Sequence, residues 1–332
     1  MTAVKKRIVS GIKPSGDLTI GNYLGAMKGW AADQHNDGYE NFFFVANLHA
    51  ITVKQDPDLL KKRTLDIVAW LLTVGVDPLR SVIFVQSMIP AHSEICWILN
   101  NYVTMGELGK MTQYKDKSQK SGKDGQLTGL FDYPVLMAGD VLLYDADEIP
   151  VGIDQVQHVE LCRTIANRFN NQHGDTFKVP KATLSVTSAK IMSLNNASEK
   201  MSKSESQDSY VLLEDSADKV IKKFKKAVTD SENKVAYGNG KPELSNLLTI
   251  FSEFSGKPVS DIENEYGDQG YGKFKTDLGE LVADKLTLLQ KIYNEIRIDE
   301  ERVMNVINDG NNKAKAIADS KMSEVKEKIG LL

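Results

Sequence analysis

Three short apolar runs are separated by two segments whose apolar residues recur every three or four positions. The runs are RIVSG at 7–11, NFFFVANLHAIT at 41–52 and SVIFVQS at 81–87. Between them lie IGNYLGAMKGWAADQ at 20–34 and DLLKKRTLDIVAWLLTVG at 58–75. Short apolar runs are typical of buried strands, and the longer spacing is typical of helices. The alternation predicts an α/β fold with a parallel sheet wrapped by helices.

The remainder of the chain has a different pattern. A helical, mixed segment covers about 93–170, and from Leu212 onward helical patterns are joined by polar connectors. We therefore predict a sheet-containing domain over 1–205, with a helical insertion or dimer segment at about 93–170. We predict an all-helical region over 206–332 whose last helix packs back on the first domain.

Composition narrows the class of protein. The chain has 332 residues, of which 41% are hydrophobic and 26% charged, as in ordinary globular proteins. Its apolar runs, such as Phe42–Ala46 and Val82–Val85, are far below the roughly 20 residues of a membrane span. We expect a cytoplasmic protein with no membrane partner. The two cysteines, Cys96 and Cys162, form no CxxC motif, so we expect both to be reduced and buried.

The net charge of -4 argues against a general polyanion binder, and we expect no DNA partner. Two clusters of five lysines each, at 110–123 and 219–226, could still contact a nucleic acid. A solvated helix face is an equally good interpretation of both. Arg297 and Arg302 are further candidates for a nucleic-acid contact.

Two segments indicate phosphate chemistry. The loop after the first apolar run, SGIKPSGDLTIGNYLGA at 10–26, fits neither GxGxxG nor GxxxxGK[ST], but a helix beginning near Thr19 would offer free backbone N–H groups to a phosphate. Taken alone, that pattern equally describes a capped helix. The polar segment NNASEKMSKSESQDSY at 195–210 contains Lys200 and Lys203, which could meet charge building on a departing pyrophosphate.

These segments carry a resemblance to a known family. KMSKS at 200–204 matches the second signature of class I aminoacyl-tRNA synthetases, and TIGN at 19–22 resembles the variant of their His-Ile-Gly-His signature found in tryptophanyl-tRNA synthetases. GELGKMTQYKDKS at 106–118, the block at 132–170 and AVTDSE at 227–232 are similar to the bacterial members of that family over nearly the full length.

The resemblance implies a Rossmann-like catalytic domain and a helical anticodon-binding region. It implies activation of L-tryptophan by ATP and transfer to tRNA(Trp), with Mg²⁺ held by the ATP phosphates and not by the protein. It also implies a homodimer, with the tRNA lying across both subunits.

Site residues follow from the same resemblance. Tryptophan would contact Gly11, His49, Tyr133, Met137, Asp140, Ile149, Val151 and Gln155. ATP would contact Lys13, Pro14, Ser15, Gly21, Asn22, Gln113, Gly152, Asp154, Ile191, Lys200, Met201, Ser202 and Lys203. The catalytic group would comprise Thr19, Asn22, Lys117, Lys200, Ser202 and Lys203.

Asp140 is the residue that the family uses to accept the indole N–H. A carboxylate among Met137, Ile149 and Val151 is costly to bury unpaired, so we expect the indole to be its partner and phenylalanine to leave it stranded. The alternative is that Asp140 caps a helix or pairs with a lysine. The remaining histidines, at 35, 92, 158 and 173, are expected to pack or cap.

The chain departs from the family at Lys13, where glutamine is usual, at Val9, where an aromatic residue is usual, and at Asn47-Leu48, where Asp-Gln is usual. These changes put the detailed ATP and carboxylate contacts in question, together with the sensitivity to tryptophan-like inhibitors.

Three other interpretations stay open. One is a tyrosyl-tRNA synthetase, another a nucleotidyltransferase that adenylates a metabolite without tRNA, and the third a synthetase-like RNA-binding paralogue.

Overall fold

Five strands form the central sheet of the computed structural model, which describes residues 5–112, 127–152, 155–184, 189–203, 206–238 and 240–331. The strands are β1 (Lys6–Ile12), β2 (Tyr39–Val45), β3 (Ser81–Val85), β4 (Glu148–Val151) and β5 (Lys181–Leu184). All neighbours are parallel, in the order β3-β2-β1-β4-β5. The predicted α/β fold with a parallel sheet is confirmed.

Two of these strands lie where the sequence pattern gave no strand signal. Strand β4 is the four-residue run Glu-Ile-Pro-Val inside the segment predicted as helical and mixed, and β5 is a four-residue edge strand that begins with Lys181. Runs this short show no clear alternation of apolar and polar positions. The helical insertion therefore also contributes to the sheet.

Helices surround the sheet and predominate in the described part of the chain after it. Helix α1 begins with Ile20–Asn22, continues through a π-helical turn at Tyr23–Met27 and ends with Lys28–Asp33. The others are α2 (Asn47–Ala50), α3 (Pro57–Thr73), α4 (Ala91–Leu99), α5 (Met105–Leu108), α6 (Thr128–Leu142), α7 (Val156–His173), α8 (Ala217–Lys226), α9 (Pro242–Ser255), α10 (Val259–Tyr266), α11 (Gly270–Ile298) and α12 (Glu300–Ile329). Of the described helices, none is long and apolar enough to cross a lipid bilayer.

The sheet is buried on both faces, which explains the unbroken apolar run of β2. Phe43 and Val45 enter one core, where the Phe43 ring stacks on Trp30 with centroids 4.6 Å apart. Phe42 and Phe44 enter the core on the opposite face, together with α4, α6 and α7. A parallel strand covered on both sides reads as continuous apolar sequence, not as an alternation.

The sheet opens between β1 and β4. These strands are paired only at Ile8 and Glu148, whereas β4 and β5 pair over all four residues from Glu148 to Val151. This is also where the order of strands reverses, and ligands bind parallel α/β sheets in the crevice at such a point. The gap positions the functional site.

The last two helices connect the helical region to the sheet. Helix α12 places Val303 and Ile307 in the core that contains α11, and Ala314 and Ala318 in the core that contains α4 and α6. It covers the open edge of β3, and a Cβ placed on Gly310 would overlap the Ile83 carbonyl. The final helix therefore packs against the sheet. Division of the chain at residue 205 stays a prediction.

Candidate active site

A cavity of about 400 Å³ opens at the carboxyl edge of the sheet, between β1 and β4. Its volume lies within the range of small-molecule sites, which is about 300 to 1,000 Å³. The structure brings together there all eight residues predicted for tryptophan, namely Gly11, His49, Tyr133, Met137, Asp140, Ile149, Val151 and Gln155. Lys13 and Gly152, predicted for ATP, also line it.

Asp140 lies at the centre of a hydrogen-bond network. Its carboxylate is 2% exposed and accepts from Gln86 Nε2 and His92 Nδ1 at Oδ1, each at 2.7 Å. Oδ2 accepts from His49 Nε2, also at 2.7 Å. Burial alone would raise the pKa of Asp140, but the charges and hydrogen bonds of His49 and His92 outweigh burial and hold the pKa below its usual value. Asp140 is therefore the ionised acceptor of the pocket.

This network corrects the expectation that Asp140 would be stranded without an indole. A carboxylate has about four acceptor positions, and among the described residues three donors use two positions at Oδ1 and one at Oδ2. One position at Oδ2 is left for a ligand donor. A ligand without an N–H forfeits one hydrogen bond, but it does not leave a buried charge unpaired.

Two residues of this network, Gln86 and His92, were not identified from the sequence. Gln86 is fully buried and also accepts the Leu48 backbone N–H at 3.0 Å, so it connects β3 to α2. His92 is fully buried and contacts the Tyr144 hydroxyl through Nε2 at 2.8 Å. Gln86 directly follows a buried strand of a parallel sheet, and that position alone could have nominated it. His92 was expected only to pack or cap.

Tyr133 and His49 form the wall beside Asp140. Their rings meet edge to face with centroids 6.2 Å apart, and the Tyr133 hydroxyl lies 2.9 Å from His158 Nε2. Burial raises the pKa of Tyr133 to about 12, so the hydroxyl stays protonated at neutral pH. His158 supports this wall.

Position 11 of β1 requires glycine because the Phe44 ring approaches its backbone closely. A Cβ at this position would lie 2.6 Å from the Phe44 ring. Phe44 lines the same cavity, so the absent side chain lets an aromatic ring form its floor. Any larger residue at position 11 would displace that ring.

The departures from the family pattern also lie at the cavity. Val9 and Lys13 line it, and Lys13 Nζ is 3.4 Å from Thr52 Oγ1. Asn47 exchanges two hydrogen bonds with Ser87, at 2.8 and 3.0 Å, so it holds α2 against the turn that carries Gln86.

The cavity is also lined by residues of α1 and of the sheet that the sequence did not reveal. Gly25, Gly29 and Asp33 line it from the helix, and Ser10 and Pro150 line it from the sheet. Ser10 is 8% exposed, and its Oγ has no hydrogen-bond partner within the described chain. Burial raises the pKa of the Asp33 carboxyl.

The first signature forms a capping box. Asn22 N donates to Thr19 Oγ1 at 3.3 Å and Thr19 N donates to Asn22 Oδ1 at 2.9 Å, which fixes the start of α1. Thr19 is 3% exposed. Its hydroxyl is therefore used to position the helix terminus. The π-helical turn that follows is a feature frequent at functional sites.

The second signature lies directly over this helix terminus. Met201 is buried, its backbone N–H donates to Ile191 O at 3.0 Å, and a Cβ on Gly21 would contact its side chain at 3.5 Å. Lys203 Nζ donates to Asp17 O at 2.6 Å. The side chain of Lys203 is partly exposed. Burial of the ammonium group nevertheless lowers the pKa of Lys203. The structure thus brings together the two signatures, 180 residues apart in the sequence.

Other predicted site residues are placed as follows. Pro14 and Ser15 lie in the loop after β1, and Lys200 and Ser202 lie beside Met201 in the second signature. Gln113, Lys117 and Asp154 fall outside the described residues, as do Ser204 and most of the lysine cluster at 110–123. The ATP contacts predicted for Pro14, Ser15, Gln113, Asp154, Lys200 and Ser202, and the catalytic role predicted for Lys117, stay predictions.

Two candidate nucleic-acid contacts are engaged in ion pairs. Lys223 is buried with its Nζ 2.6 Å from Asp215 Oδ2, and Arg297 Nε is 2.8 Å from Asp66 Oδ1. Lys223 therefore ties α8 to the turn before it, Arg297 ties α11 to α3, and both are poor candidates for RNA binding. Lys219, Lys222 and Lys225 are exposed, as is Arg302.

The cysteine prediction holds in part. Cys96 and Cys162 are free thiols, but only Cys162 is buried. Burial raises the pKa of both thiols, so neither is a reactive thiolate at neutral pH.

Known proteins resemble this chain over nearly its whole length. A family model described as tRNA synthetases class I (W and Y) matches residues 2–287. A tryptophan–tRNA ligase of Caldanaerobacter subterraneus is 47% identical over 329 residues, covering 98% of this chain and 99% of that protein. A tryptophan–tRNA ligase of Wolinella succinogenes is 44% identical and covers 99% and 100% respectively.

Solved structures agree with the sequence comparisons. A tryptophanyl-tRNA synthetase from Mycoplasma pneumoniae superposes with a TM-score of 0.89 at 35% identity, covering 98% of both chains. One from Campylobacter jejuni, complexed with ADP and tryptophan, gives 0.82 at 37% identity, covering 98% of this chain and 99% of that one. A tyrosyl-tRNA synthetase from Aeropyrum pernix, at 19% identity and a TM-score of 0.67, shares the fold.

The matching family model covers both signatures and the cavity around Asp140, and the relatives are enzymes of one class. The chain combines a Rossmann-like parallel sheet, a capped helix terminus at Thr19 and a lysine loop at 200–203, and its fold matches that of solved relatives. The chain belongs to the class I tRNA synthetases of the tryptophan and tyrosine family.

Proposed function

We infer that this enzyme activates L-tryptophan with ATP and transfers it to tRNA(Trp), the reaction of a tryptophan–tRNA ligase. The carboxylate of tryptophan attacks the α-phosphorus of ATP and pyrophosphate leaves. The 3'-terminal ribose hydroxyl of the tRNA then attacks the acyl carbon of the adenylate, and AMP leaves.

The observation that carries this proposal is the buried Asp140 with one acceptor position left at Oδ2. Its surroundings are apolar on the side of Met137, Ile149 and Val151, which suits a flat indole ring. An indole N–H has one donor and no acceptor, so it matches a single ionised acceptor. A charge-assisted hydrogen bond of this kind contributes about 1.5 to 3 kcal/mol.

The polar end of tryptophan is expected near Tyr133, Gln155 and Lys13. Tyr133 and Gln155 offer acceptors to the substrate ammonium, and Lys13 offers a cation to its carboxylate. Val9 and Lys13 depart from the residues usual in the family, so the contacts in this part of the site are expected to differ from the usual ones.

ATP is proposed to lie between the two signatures. Gly21 and Met201 would bracket the adenine, and Ile191, Gly152 and Asp154 would help to seat the base and ribose. The phosphates would meet the N-terminus of α1 and the cations Lys117, Lys200 and Lys203. Mg²⁺ is expected to be bound by those phosphates and to neutralise charge on them.

Catalysis in this proposal is positioning and charge stabilisation. The substrate carboxylate is already the nucleophile, so no general base is required. Lys203 now donates to the Asp17 carbonyl and must exchange that partner for a phosphate oxygen when ATP enters. Its lowered pKa reflects a poorly solvated ammonium, which gains from an anionic partner.

A homodimer is also proposed, with each tRNA contacting both subunits. Three large apolar side chains of the segment at 93–170 are strongly exposed, namely Trp97 and Met105 at 74% each and Leu127 at 58%. Large exposed apolar side chains of this kind favour an interface. Lys219, Lys222, Lys225 and Arg302 are candidates for the tRNA contact.

Transfer to tRNA is the step that separates this proposal from a metabolite-adenylating enzyme. The purified protein would be incubated with ATP, Mg²⁺ and labelled tryptophan, with and without a tRNA(Trp) transcript, and aminoacyl-tRNA would be measured directly. Accumulation of adenylate that tRNA(Trp) discharges into aminoacyl-tRNA supports the proposal. Adenylate that persists in the presence of tRNA(Trp) would favour the nucleotidyltransferase, and no adenylate would favour the RNA-binding paralogue.

A further inference from the structure

Helix α12 makes one polar contact with the edge of the sheet that leads to the tryptophan cavity. Asn311 is 6% exposed, and its Oδ1 accepts the Val85 backbone N–H at 2.9 Å. Its Nδ2 donates towards Met88 Sδ at 3.0 Å. Val85 is the last residue of β3, and β3 is an edge strand whose outward N–H groups would otherwise have no partner in the sheet. Asn311 therefore holds the point where the strand ends.

The next residue along the chain is Gln86, the donor to Asp140. Gln86 is completely buried, and both ends of its side-chain amide are used: Oε1 accepts from Leu48 N at 3.0 Å and Nε2 donates to Asp140 Oδ1 at 2.7 Å. A buried amide with both ends bonded has one favourable position. A shift of its backbone therefore has to be passed on to Leu48 or to Asp140.

The same shift would reach the second oxygen of Asp140. His49, which follows Leu48, donates to Oδ2, the oxygen that keeps one acceptor position for a ligand. Gln86 thus sets the orientation of the carboxylate directly through Oδ1 and indirectly through α2 and His49. The direction of the open acceptor position depends on where β3 ends.

We propose that Asn311 is a positioning residue for tryptophan recognition, acting through Val85 and Gln86 to aim Asp140 Oδ2 at the indole N–H. The inference rests on the proposed function, because it takes Asp140 as the indole acceptor. It adds a residue of the C-terminal helical region, more than 170 positions away in the sequence, to the specificity of the cavity. Since α12 also packs with α11, this contact joins the helical region to the amino-acid site.

The test compares tryptophan with its isostere β-(benzothiophen-3-yl)alanine, in which sulfur replaces the indole N–H. The ratio of kcat/KM values in pyrophosphate exchange measures how well Asp140 is aimed, and a loss of stability alone does not change it. For Asn311→Leu we expect this ratio to fall by about ten-fold, as a charged hydrogen bond is weakened. The KM for ATP should stay within about two-fold, since the contacts of Asn311 with described residues, Val85 and Met88, do not lead to the described ATP residues.

Two variants serve as controls. Asn311→Asp retains an Oδ acceptor for the Val85 N–H and should keep the ratio within about three-fold of the wild type. Asn312→Leu makes the same substitution at the exposed neighbouring position and should leave the ratio unchanged. If Asn311→Leu does not fold, the same ratio is compared between Asn311→Ala and Asn311→Asp, since alanine adds no bulk.

An unchanged ratio in folded Asn311→Leu or Asn311→Ala would overturn the inference, even with a lowered melting temperature. A fall of the same size in Asn312→Leu would also overturn it. Failure of the proposed function has a different signature, because the wild-type protein itself would then show no exchange with tryptophan.

Discussion

His49 Nε2 lies 2.7 Å from Asp140 Oδ2, while Gln86 and His92 occupy Oδ1 of the same buried carboxylate. The protein therefore compensates the charge before any substrate binds. Recognition of an indole then depends on a single remaining acceptor position. The discrimination between aromatic amino acids is accordingly expected to combine this hydrogen bond with the shape of the cavity.

Asp140→Asn removes the charge and keeps the size of the side chain. The amide offers only one acceptor oxygen. Its NH₂ group would face at least one of the three donors His49, Gln86 and His92, and could not accept from it. We expect kcat/KM for tryptophan in pyrophosphate exchange to fall by about ten- to a hundred-fold, in line with the loss of a charge-assisted hydrogen bond. Asp132→Asn is the matched control, since Asp132 lies on the same helix but accepts from Asn100 at 3.2 Å. Equal losses in the two variants would contradict a special role of Asp140.

Lys13→Gln restores the residue that is usual in the family. Lys13 lines the cavity and supplies a cation where the tryptophan carboxylate is expected. The KM for tryptophan should rise by about three- to ten-fold, while inhibition by tryptamine, which lacks a carboxylate, should not change. Equal effects on both ligands, or none on either, would show that Lys13 does not contact the carboxylate. A tryptophan-like inhibitor that carries a carboxylate and acts equally on both proteins would show that Lys13 does not set sensitivity to such inhibitors.

Lys203→Met removes the cation proposed to meet the ATP phosphates and keeps a chain of similar length. We expect kcat for pyrophosphate exchange to fall by about a hundred-fold or more, with the Kd for tryptophan almost unchanged, because the charge is needed mainly in the transition state. Lys222→Met, at an exposed position of α8, is the control and should retain exchange activity. A purely structural Lys203 would instead lower the melting temperature and leave kcat intact.

The pH dependence of stability tests the interactions that lower the pKa of Glu107. Hydrogen bonds from Arg168 and from the Thr104 backbone hold the pKa of Glu107 at about 2. Its stabilisation is therefore complete above the unfolded pKa of about 4.3 and is lost as the pH falls towards the folded value. The difference in melting temperature between the wild type and Glu107→Gln should be constant from pH 7 to pH 5 and shrink below pH 4. Glu160→Gln, at an exposed position, should show a smaller difference throughout.

Trp97→Asp tests the proposed dimer. The side chain is 74% exposed, so the substitution should not disturb the fold of one subunit, but it would place a charge in an apolar interface. Light scattering after size exclusion should give a monomer for this variant and a dimer for the wild type. Leu79→Asp changes a side chain that is 90% exposed in the turn before β3 and should remain dimeric.

The sequence predicted the core of the sheet because β1, β2 and β3 carry apolar runs that are covered on both faces. It did not predict β4 and β5. These strands have four residues each, and their position in the sheet is determined by pairing with neighbouring strands. Local pattern cannot contain that information, since the partner residues lie far away in the chain.

The site residues likewise fall into two groups, those that the sequence identified and those that only the structure reveals. The members of the cavity could be named because they stand in motifs, and the structure does bring them together around Asp140. The donors Gln86 and His92 stand in no motif, and their contact with Asp140 spans about 50 residues. The part of the cavity lining that comes from Ser10 and Asp33 depends on how α1 lies over the sheet, which no short segment encodes.

Amino-acid-dependent exchange of labelled pyrophosphate into ATP, measured without tRNA, tests the central claim most directly. Tryptophan, tyrosine and phenylalanine would be compared at equal concentrations with Mg²⁺ and purified full-length protein. We predict exchange with tryptophan and only residual exchange with the other two. Exchange that is faster with tyrosine would contradict the account, because Asp140 and its cavity would then recognise a phenol and not an indole.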